Sequence, residues 1–251
     1  MTDSRRLAYL EALGVDVYVR RGLEPRAEPA AAPVEAPGEA PRAVPESAAV
    51  VVERGPEANL DWEPLREMVA ACTRCTLHET RTQTVFGVGS RSARWMFIGE
   101  APGAEEDRQG EPFVGRAGQL LTSMLRALGF GRDDVYIANI LKCRPPGNRD
   151  PRPEEAAQCR GYLERQIELV SPALIVAVGR IAAQNLLATD TALARLRGKV
   201  HALGPRGWPM IVTYHPAYLL RSPGEKRKAW QDLLFARQVF ARLEAGERVL
   251  P

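Results

Sequence analysis

The segment RWMFIGEAPG, residues 94–103, decides the fold, because a short apolar run is followed at once by glycine, glutamate and proline. Similar apolar runs occur at residues 135–141, 173–178 and 209–214. Helical patterns lie around them at residues 62–71, 117–129, 153–170, 180–188 and 225–244. Continuous apolar strands that alternate with helices are typical of a parallel sheet covered on both faces. The sequence therefore predicts an α/β fold.

Polar residues, glycine or proline follow each predicted strand. The residues at these positions are Gly99–Gly103, Asn139 with Lys142 and Cys143, Gly179 with Arg180, and His215 with Pro216. In open parallel α/β sheets, ligands bind beyond the C-terminal ends of the strands. The sequence therefore predicts one pocket, built from segments that lie far apart in the chain.

Length and composition limit the class of protein. The chain has 251 residues, which allows one domain with appendages or two small domains. No apolar run approaches the roughly 20 residues that a membrane helix needs. The N-terminal residues MTDSRRLAYLEALG carry charges where a signal peptide needs its apolar core. These features predict a cytoplasmic protein.

The chain divides into an acidic leader and a basic domain. Residues 1–60 carry 7 of the 34 Lys and Arg and 10 of the 31 Asp and Glu, so their net charge is −3 and that of the remainder is +6. A basic domain suits a phosphate-rich partner, although a merely Arg-rich surface has the same composition. We expect an amphipathic helix at residues 1–21, a disordered linker rich in Pro, Ala and Glu at 22–58, and the folded domain at 59–251.

The four cysteines have the spacing of a metal site: Cys72-x2-Cys75, then Cys143 and Cys159. A C-x2-C pair brings two thiolates to one centre, and two more cysteines complete ligation by four sulfurs. Two disulfides are disfavoured in a cytoplasmic protein, and scattered buried cysteines do not explain the close pair. The spacing fits zinc and a four-iron cluster equally well.

Three long motifs together resemble the iron–sulfur (family four) uracil-DNA glycosylases. They are GEAPGAEEDRQGEPFVGRAGQLL at 99–121, NILKCRPPGNRDPRPEE at 139–155 and HPAYLLR at 215–221. The resemblance runs from about Asp61 to about Phe240. It implies a three-layer α/β/α sandwich with a four-stranded parallel sheet, and a structural 4Fe-4S cluster on the four cysteines. It also implies removal of uracil from DNA by hydrolysis of the N-glycosidic bond, without strand cleavage, as the first step of base excision repair.

The resemblance assigns several residues to the recognition of a flipped-out base. It implies that Phe113 stacks on the base, that Asn139 reads uracil through its amide, and that Glu106 excludes thymine. By ordinary rules, Phe113 would be a core residue, Asn139 a turn or cap residue and Glu106 part of a solvated acidic run. The other substrate-binding positions expected in this frame are Gly99, Ala101, Gly103 and His215.

The resemblance also implies the catalytic residues. His215 matches the family's hydrogen-bond donor to the uracil anion that forms as the bond breaks. Some related families orient the attacking water with an Asp where this chain has Ala101, which cannot do so. The sequence leaves that task to Glu100, Glu106, a backbone carbonyl or a DNA phosphate, and we expect Glu100 or Glu106 to assist.

The segment after His215 is expected to contact DNA. An apolar wedge fills the gap left by a flipped base and Arg pairs with phosphate, which gives such contacts to Tyr218, Leu219, Leu220 and Arg221. A helix start with both leucines in the core is the ordinary alternative. The expected partner is uracil-containing DNA, single- or double-stranded, bound by a monomer. Residues 1–21 are either a tether for a protein partner or a dispensable tail.

Two other functions remain open from the sequence. The chain could be a metal-stabilised protein that binds DNA damage without catalysis. It could also be a phosphate-binding nucleotide enzyme, since glycines follow a strand at residues 99–103, but the G-x4-G-K-[ST] pattern of the better-known phosphate loop is absent.

Overall fold

The sheet of this protein has six strands in a computed structural model that describes residues 55–250. The strand order is β1-β3-β2-β4-β6-β5. The strands are β1 (Val88–Gly89), β2 (Trp95–Gly99), β3 (Tyr136–Asn139), β4 (Leu174–Val178), β5 (His201–Leu203) and β6 (Trp208–Thr213). The central four, β3, β2, β4 and β6, are parallel and correspond to the four predicted apolar runs.

The predicted count of four strands was too low. The two additional strands, β1 and β5, pair antiparallel at the two edges of the sheet. They contain two and three residues, and most of these residues are only partly buried or are exposed. Such short edge strands produce no continuous apolar run, so the sequence pattern that identifies buried strands does not detect them.

Eight α-helices surround the sheet in the described part of the chain. Five of them match the predicted helices to within one residue at each end, and the three short ones were not predicted. The helices are α1 (Trp62–Ala70), α2 (Ala104–Gln109), α3 (Arg116–Leu128), α4 (Pro153–Val170), α5 (Arg180–Leu187), α6 (Leu193–Leu196), α7 (Pro216–Arg221) and α8 (Lys226–Glu244). None of these helices is long and apolar enough to cross a membrane.

The alternation of side chains along each strand creates two separate cores. Met96 and Ile98 face one side, where residues of α1, α4 and α5 complete a buried cluster. Trp95 and Phe97 face the other side, where residues of α3 and α8 complete the second cluster. This arrangement confirms the predicted three-layer α/β/α fold.

The folded region begins earlier than predicted. Residues Pro56–Asn59 form a short 3-10 helix, and Glu57 within it is buried. The Glu57 carboxylate accepts a hydrogen bond of 2.8 Å from Arg74 Nη2. The described structure therefore includes residues 55–58, upstream of the predicted boundary at residue 59. The predicted helix at 1–21, and the linker apart from its last four residues, lie outside the described residues.

We expect Glu57→Ala to lower the free energy of unfolding by about 1–3 kcal/mol, because it leaves Arg74 without its buried partner. The contact with Arg74 lowers the pKa of Glu57. Its stabilisation is therefore present above the ordinary pKa of a glutamate and is lost as the pH falls through the folded-state pKa. Urea unfolding at pH 7 and at low pH measures both effects. Glu63→Ala, at an exposed pair with Arg91, is the control and should change stability little; equal losses in the two variants would contradict the prediction.

Candidate active site and cysteine cavity

The C-terminal ends of the central strands meet in one small site. Gly99 ends β2 and pairs in register with Asn139 at the end of β3. A Cβ atom built on Gly99 would lie 2.5 Å from both Asn139 Oδ1 and Phe113 Cζ. The ring centroids of Phe113 and His215 are 5.7 Å apart. The structure thus brings four of the predicted residues together, and the missing side chain of Gly99 provides the space between them.

Asn139 presents an unpaired acceptor in this site. The residue is 2% exposed, and its Oδ1 has no hydrogen-bond partner within residues 55–250. A buried polar atom without a partner costs on the order of 1–3 kcal/mol. Such atoms are rare in folded proteins, and each calls for a specific explanation. The position beside Phe113 and Gly99 makes a ligand's N–H group the natural partner.

His215 is a neutral hydrogen-bond donor. Its Nδ1 accepts the Ala217 N–H at 3.1 Å, so the ring proton resides on Nε2. Burial lowers the pKa of His215 to about 4, with a smaller contribution from Arg221, while Glu106 opposes the shift. The imidazole is therefore uncharged at neutral pH and can donate one hydrogen bond from Nε2.

Arg132 holds the Phe113 loop from one side. Its Nη1 donates to the Phe113 carbonyl at 3.0 Å, and its Nη2 donates to the Pro112 carbonyl at 2.7 Å and to Glu111 Oε1 at 2.9 Å. Phe113 has a φ of +55°, which is a costly conformation for a residue with a side chain. Arg132 therefore stabilises a strained loop, and no sequence motif predicted this role.

Glu106 holds the same loop from the other side. Its Oε1 accepts the N–H groups of Val114 at 3.0 Å and Gly115 at 2.9 Å. Its Oε2 accepts the Gly103 N–H at 3.1 Å. Both carboxylate oxygens are thus bound to the backbone. This geometry assigns Glu106 to positioning the loop, and the expectation that Glu106 assists the attacking water stays a prediction.

Glu100 is a carboxyl group with a perturbed pKa at the end of β2. Burial raises the pKa of Glu100 to about 7; Asp150 adds to the shift and Arg180 opposes it. Its protonation therefore changes near neutral pH, as is suitable for a general base. Ala101 beside it is partly buried and packs on the core.

The four residues expected to contact DNA separate into buried and exposed positions on α7. Leu219 is 1% exposed and belongs to the interior, so of the two leucines it is Leu220 that remains available to DNA. Tyr218 and Leu220 are 37% and 36% exposed, and Arg221 is exposed as well. Tyr218 stacks on Tyr214 with ring centroids 5.2 Å apart. This contact holds the Tyr218 ring in place on the exposed side of the helix.

The four cysteines line one cavity together with Arg74, Arg81 and Lys142. All four are free thiols. Arg81 Nη1 donates to Cys143 Sγ at 3.0 Å, and the Lys142 N–H donates to Cys159 Sγ at 3.4 Å. Burial raises the pKa of the Cys159 thiol to about 12. In the described part of the chain, no three His, Cys, Asp or Glu side chains form a preformed metal-ion site.

Comparison with known proteins identifies the class to which this fold and site belong. The uracil DNA glycosylase superfamily profile matches residues 86–234. The match contains both strand ends of the site, the Phe113 loop and His215, and the chain has the fold of that superfamily.

Similar proteins narrow the assignment. The type-4 uracil-DNA glycosylase of Archaeoglobus fulgidus is 50% identical over 161 residues, which are 62% of this chain and 81% of the relative. That of Thermotoga maritima is 48% identical over 162 residues, covering 64% and 83%. That of Sulfurisphaera tokodaii is 40% identical over 184 residues, covering 70% and 84%. This chain belongs to the type-4 uracil-DNA glycosylase family.

We expect Arg132→Met to lower kcat/KM on uracil-containing DNA roughly tenfold, because two backbone carbonyls lose a charged donor and the Phe113 ring loses its fixed orientation. Single-turnover excision with varied enzyme concentration measures this change. Arg126→Met, at an exposed position on α3, is the control and should behave as the unmodified protein. An Arg132 variant with unchanged kinetics would show that the loop does not depend on the guanidinium.

Proposed function

We propose that this chain excises uracil through a pocket formed by Gly99, Phe113, Asn139 and His215, with Glu100 as the base that activates water. As a type-4 uracil-DNA glycosylase, the chain is a hydrolase that acts on N-glycosyl bonds and removes uracil from DNA in base excision repair. The observation that carries the proposal is the buried, unpaired Oδ1 of Asn139 beside an aromatic ring and a neutral histidine.

Base recognition follows from the hydrogen-bonding pattern of uracil. A base in a duplex is inaccessible and must be flipped out of the stack. Phe113 then stacks on the ring, and Asn139 Oδ1 accepts the uracil N3–H. Cytosine carries a lone pair at N3 and would face the Asn139 oxygen with repulsion. If cytosine entered the site, Asn139 Oδ1 would stay without a hydrogen bond. The cost of that unpaired buried acceptor discriminates effectively against cytosine and in favour of uracil.

Bond cleavage separates charge between the sugar and the base. As the C1′–N1 bond breaks, both its electrons go to uracil and negative charge develops on O2. The neutral His215 donates its Nε2–H to that oxygen, a fixed dipole of the kind that dominates many enzymatic rate enhancements. Water forms the new C1′–O bond and Glu100 takes its proton. The immediate products are the uracil anion, an abasic site and protonated Glu100; the proton then passes through solvent to uracil, and the strand stays intact.

His215→Ala tests the function. We expect the unmodified protein to release uracil from end-labelled DNA, detected as alkali-sensitive cleavage at the single uracil, and to leave thymine and cytosine controls intact. The variant should be slower by roughly 10²–10³, the loss typical of one anion-stabilising donor. His201→Ala is the matched control and should keep the rate of the unmodified protein. His201 lies on the edge strand β5, and its imidazole is hydrogen-bonded to the Leu196 carbonyl. Binding without cleavage by the unmodified protein would instead indicate a damage-binding module.

Glu100 predicts the pH dependence of the reaction. A base must be deprotonated, so the rate of excision should fall as the pH decreases below about 7, the pKa of Glu100. Glu100→Gln should abolish this decrease at low pH, which is the acidic limb of the pH–rate profile, and should lower the rate roughly 10²–10⁴-fold. Asp150→Asn removes a charge that raises the pKa of Glu100, so the limb should move to lower pH. Single-turnover rates between pH 5 and 9, a range of about four units around neutrality, separate these outcomes; a limb that survives in Glu100→Gln would exclude the role.

We propose DNA contacts for the exposed face of α7. Leu220 has the exposure and the apolar chemistry of a wedge that occupies the gap in the stack. Arg221 on the same short helix is available to a phosphate, and Tyr218 lies beside both. The contact surface thus retains three of the four expected residues.

We propose that Cys72, Cys75, Cys143 and Cys159 hold a four-iron, four-sulfur cluster. The residues fit the group, because four free thiols line one cavity and two of them already accept N–H hydrogen bonds that stabilise thiolates. Cys72 and Cys75 before β1, Cys143 after β3 and Cys159 in α4 would hold the cluster, which would join these three segments and supply no group to the reaction.

Metal analysis tests this assignment. Protein purified without oxygen should contain about four iron and four acid-labile sulfide atoms per chain. Removal of the metal with a chelator should lower the temperature of thermal unfolding, because the cross-link is lost. Stoichiometric zinc without iron would contradict the cluster.

A further inference from the structure

Lys142 lies between the candidate base reader and the cysteines. Its side chain is 1% exposed, so the ammonium group is fully removed from water. Nζ donates to the Asn139 backbone carbonyl at 2.9 Å and to Gln166 Oε1 at 2.6 Å. The Lys142 N–H donates to Cys159 Sγ, and the next residue is Cys143. One residue therefore touches both sites.

The charge of Lys142 has no carboxylate partner in residues 55–250. Its hydrogen-bond partners are two neutral oxygens, and its backbone N–H is bonded to the Sγ of Cys159. Burying an ammonium group is costly unless a nearby negative charge compensates it. A cluster on four thiolates carries a net negative charge and would provide that compensation at this position.

The contact with Asn139 falls where the sheet ends. The last residue pair of β2 and β3 is Gly99 with Asn139, and beyond it the chains are joined by Ile140 N–H to the Gly99 carbonyl at 3.0 Å. The Asn139 carbonyl is held by Lys142. Gln166 fixes the other side of the ammonium and is itself anchored, since its Nε2 donates to the Phe86 carbonyl and to Tyr136 Oη. Lys142 thus fixes the backbone from which the Asn139 amide projects.

We propose that Lys142 is a positioning residue that couples the cluster to uracil recognition. The negative charge of the cluster stabilises the buried ammonium, and the ammonium orients the peptide of Asn139. The inference rests on the proposed cluster and on the proposed role of Asn139. It gives the cluster an influence on base selection, although the cluster itself touches no substrate.

Lys142→Met tests the coupling, because it keeps the length of the side chain and removes both its charge and its donor. Two properties are measured besides activity. The first is the preference for a duplex carrying 2′-fluoro-deoxyuridine, which resists cleavage, over the same duplex with thymine, by fluorescence anisotropy. The second is the reduction potential of the cluster. Lys199→Met, at an exposed lysine, is the matched control and should leave both unchanged.

The expected result is a loss of preference for the uracil analogue of about tenfold, with unchanged affinity for the thymine duplex. The reduction potential should become more negative, because removal of a nearby positive charge disfavours the added electron. A variant that keeps its preference for the analogue overturns the proposal, and so does an unchanged potential.

A second measurement on the unmodified protein keeps the proposal falsifiable where Lys142→Met does not fold. Amide hydrogen exchange is compared between cluster-loaded and cluster-free protein in peptides covering residues 139–141 and 208–213. Exchange should accelerate more at 139–141, where the Lys142 contact is weakened, than in β6. Equal acceleration in both peptides overturns the proposal.

Failure of the proposed function is distinguishable from failure of this inference. Unmodified protein that holds no iron, or that has no preference for the uracil analogue, contradicts the proposed cluster or the proposed uracil site. Unmodified protein with both properties, together with a Lys142→Met protein that also has both, contradicts only the coupling.

Discussion

The pairing of Gly99 with Asn139 at the ends of two adjacent parallel strands is the constraint on which the site depends. Parallel strands bring their carboxyl ends to the same edge, so residues 40 positions apart become neighbours. Because Gly99 has no side chain, the Asn139 amide and the Phe113 ring both approach its backbone. Any larger residue at position 99 would displace one of the two groups.

The loops around this edge are held by charged side chains that bind backbone atoms. Arg132 donates hydrogen bonds to the carbonyls of Pro112 and Phe113. Glu106 accepts hydrogen bonds from the N–H groups of the two residues that follow Phe113. Together they offset the strain of a left-handed Phe113, which costs on the order of 1–3 kcal/mol. In the proposed pocket, the aromatic ring is consequently oriented before a base arrives, so less free energy is spent on ordering the loop during binding.

The sequence predicted the parallel core, because buried strands and amphipathic helices leave strong local patterns. It could not predict contacts that depend on the final packing. Arg132 binds a carbonyl 19 residues away, and nothing in its neighbourhood distinguishes it from a surface arginine. Leu219 and Leu220 are chemically identical neighbours, and the phase of the helix that begins at Pro216 decides which one is buried. The loop-positioning contacts of Glu106 could not be predicted for the same reason, since they join its carboxylate to backbone groups eight and nine residues further along the chain.

Burial acts on the two titratable groups of the proposed pocket in opposite directions, so that His215 is neutral and Glu100 changes its protonation near neutral pH. It lowers the pKa of His215 to about 4 and raises that of Glu100 to about 7, because a low-dielectric environment disfavours whichever form is charged. Uracil is neutral when it binds, and in the proposed pocket it meets a neutral His215 instead of a fixed cation. Negative charge develops on the base only as the bond breaks, where the His215 dipole gains most. The burial that keeps His215 neutral in the ground state thus increases the difference in binding between substrate and transition state, which is the quantity that determines the rate.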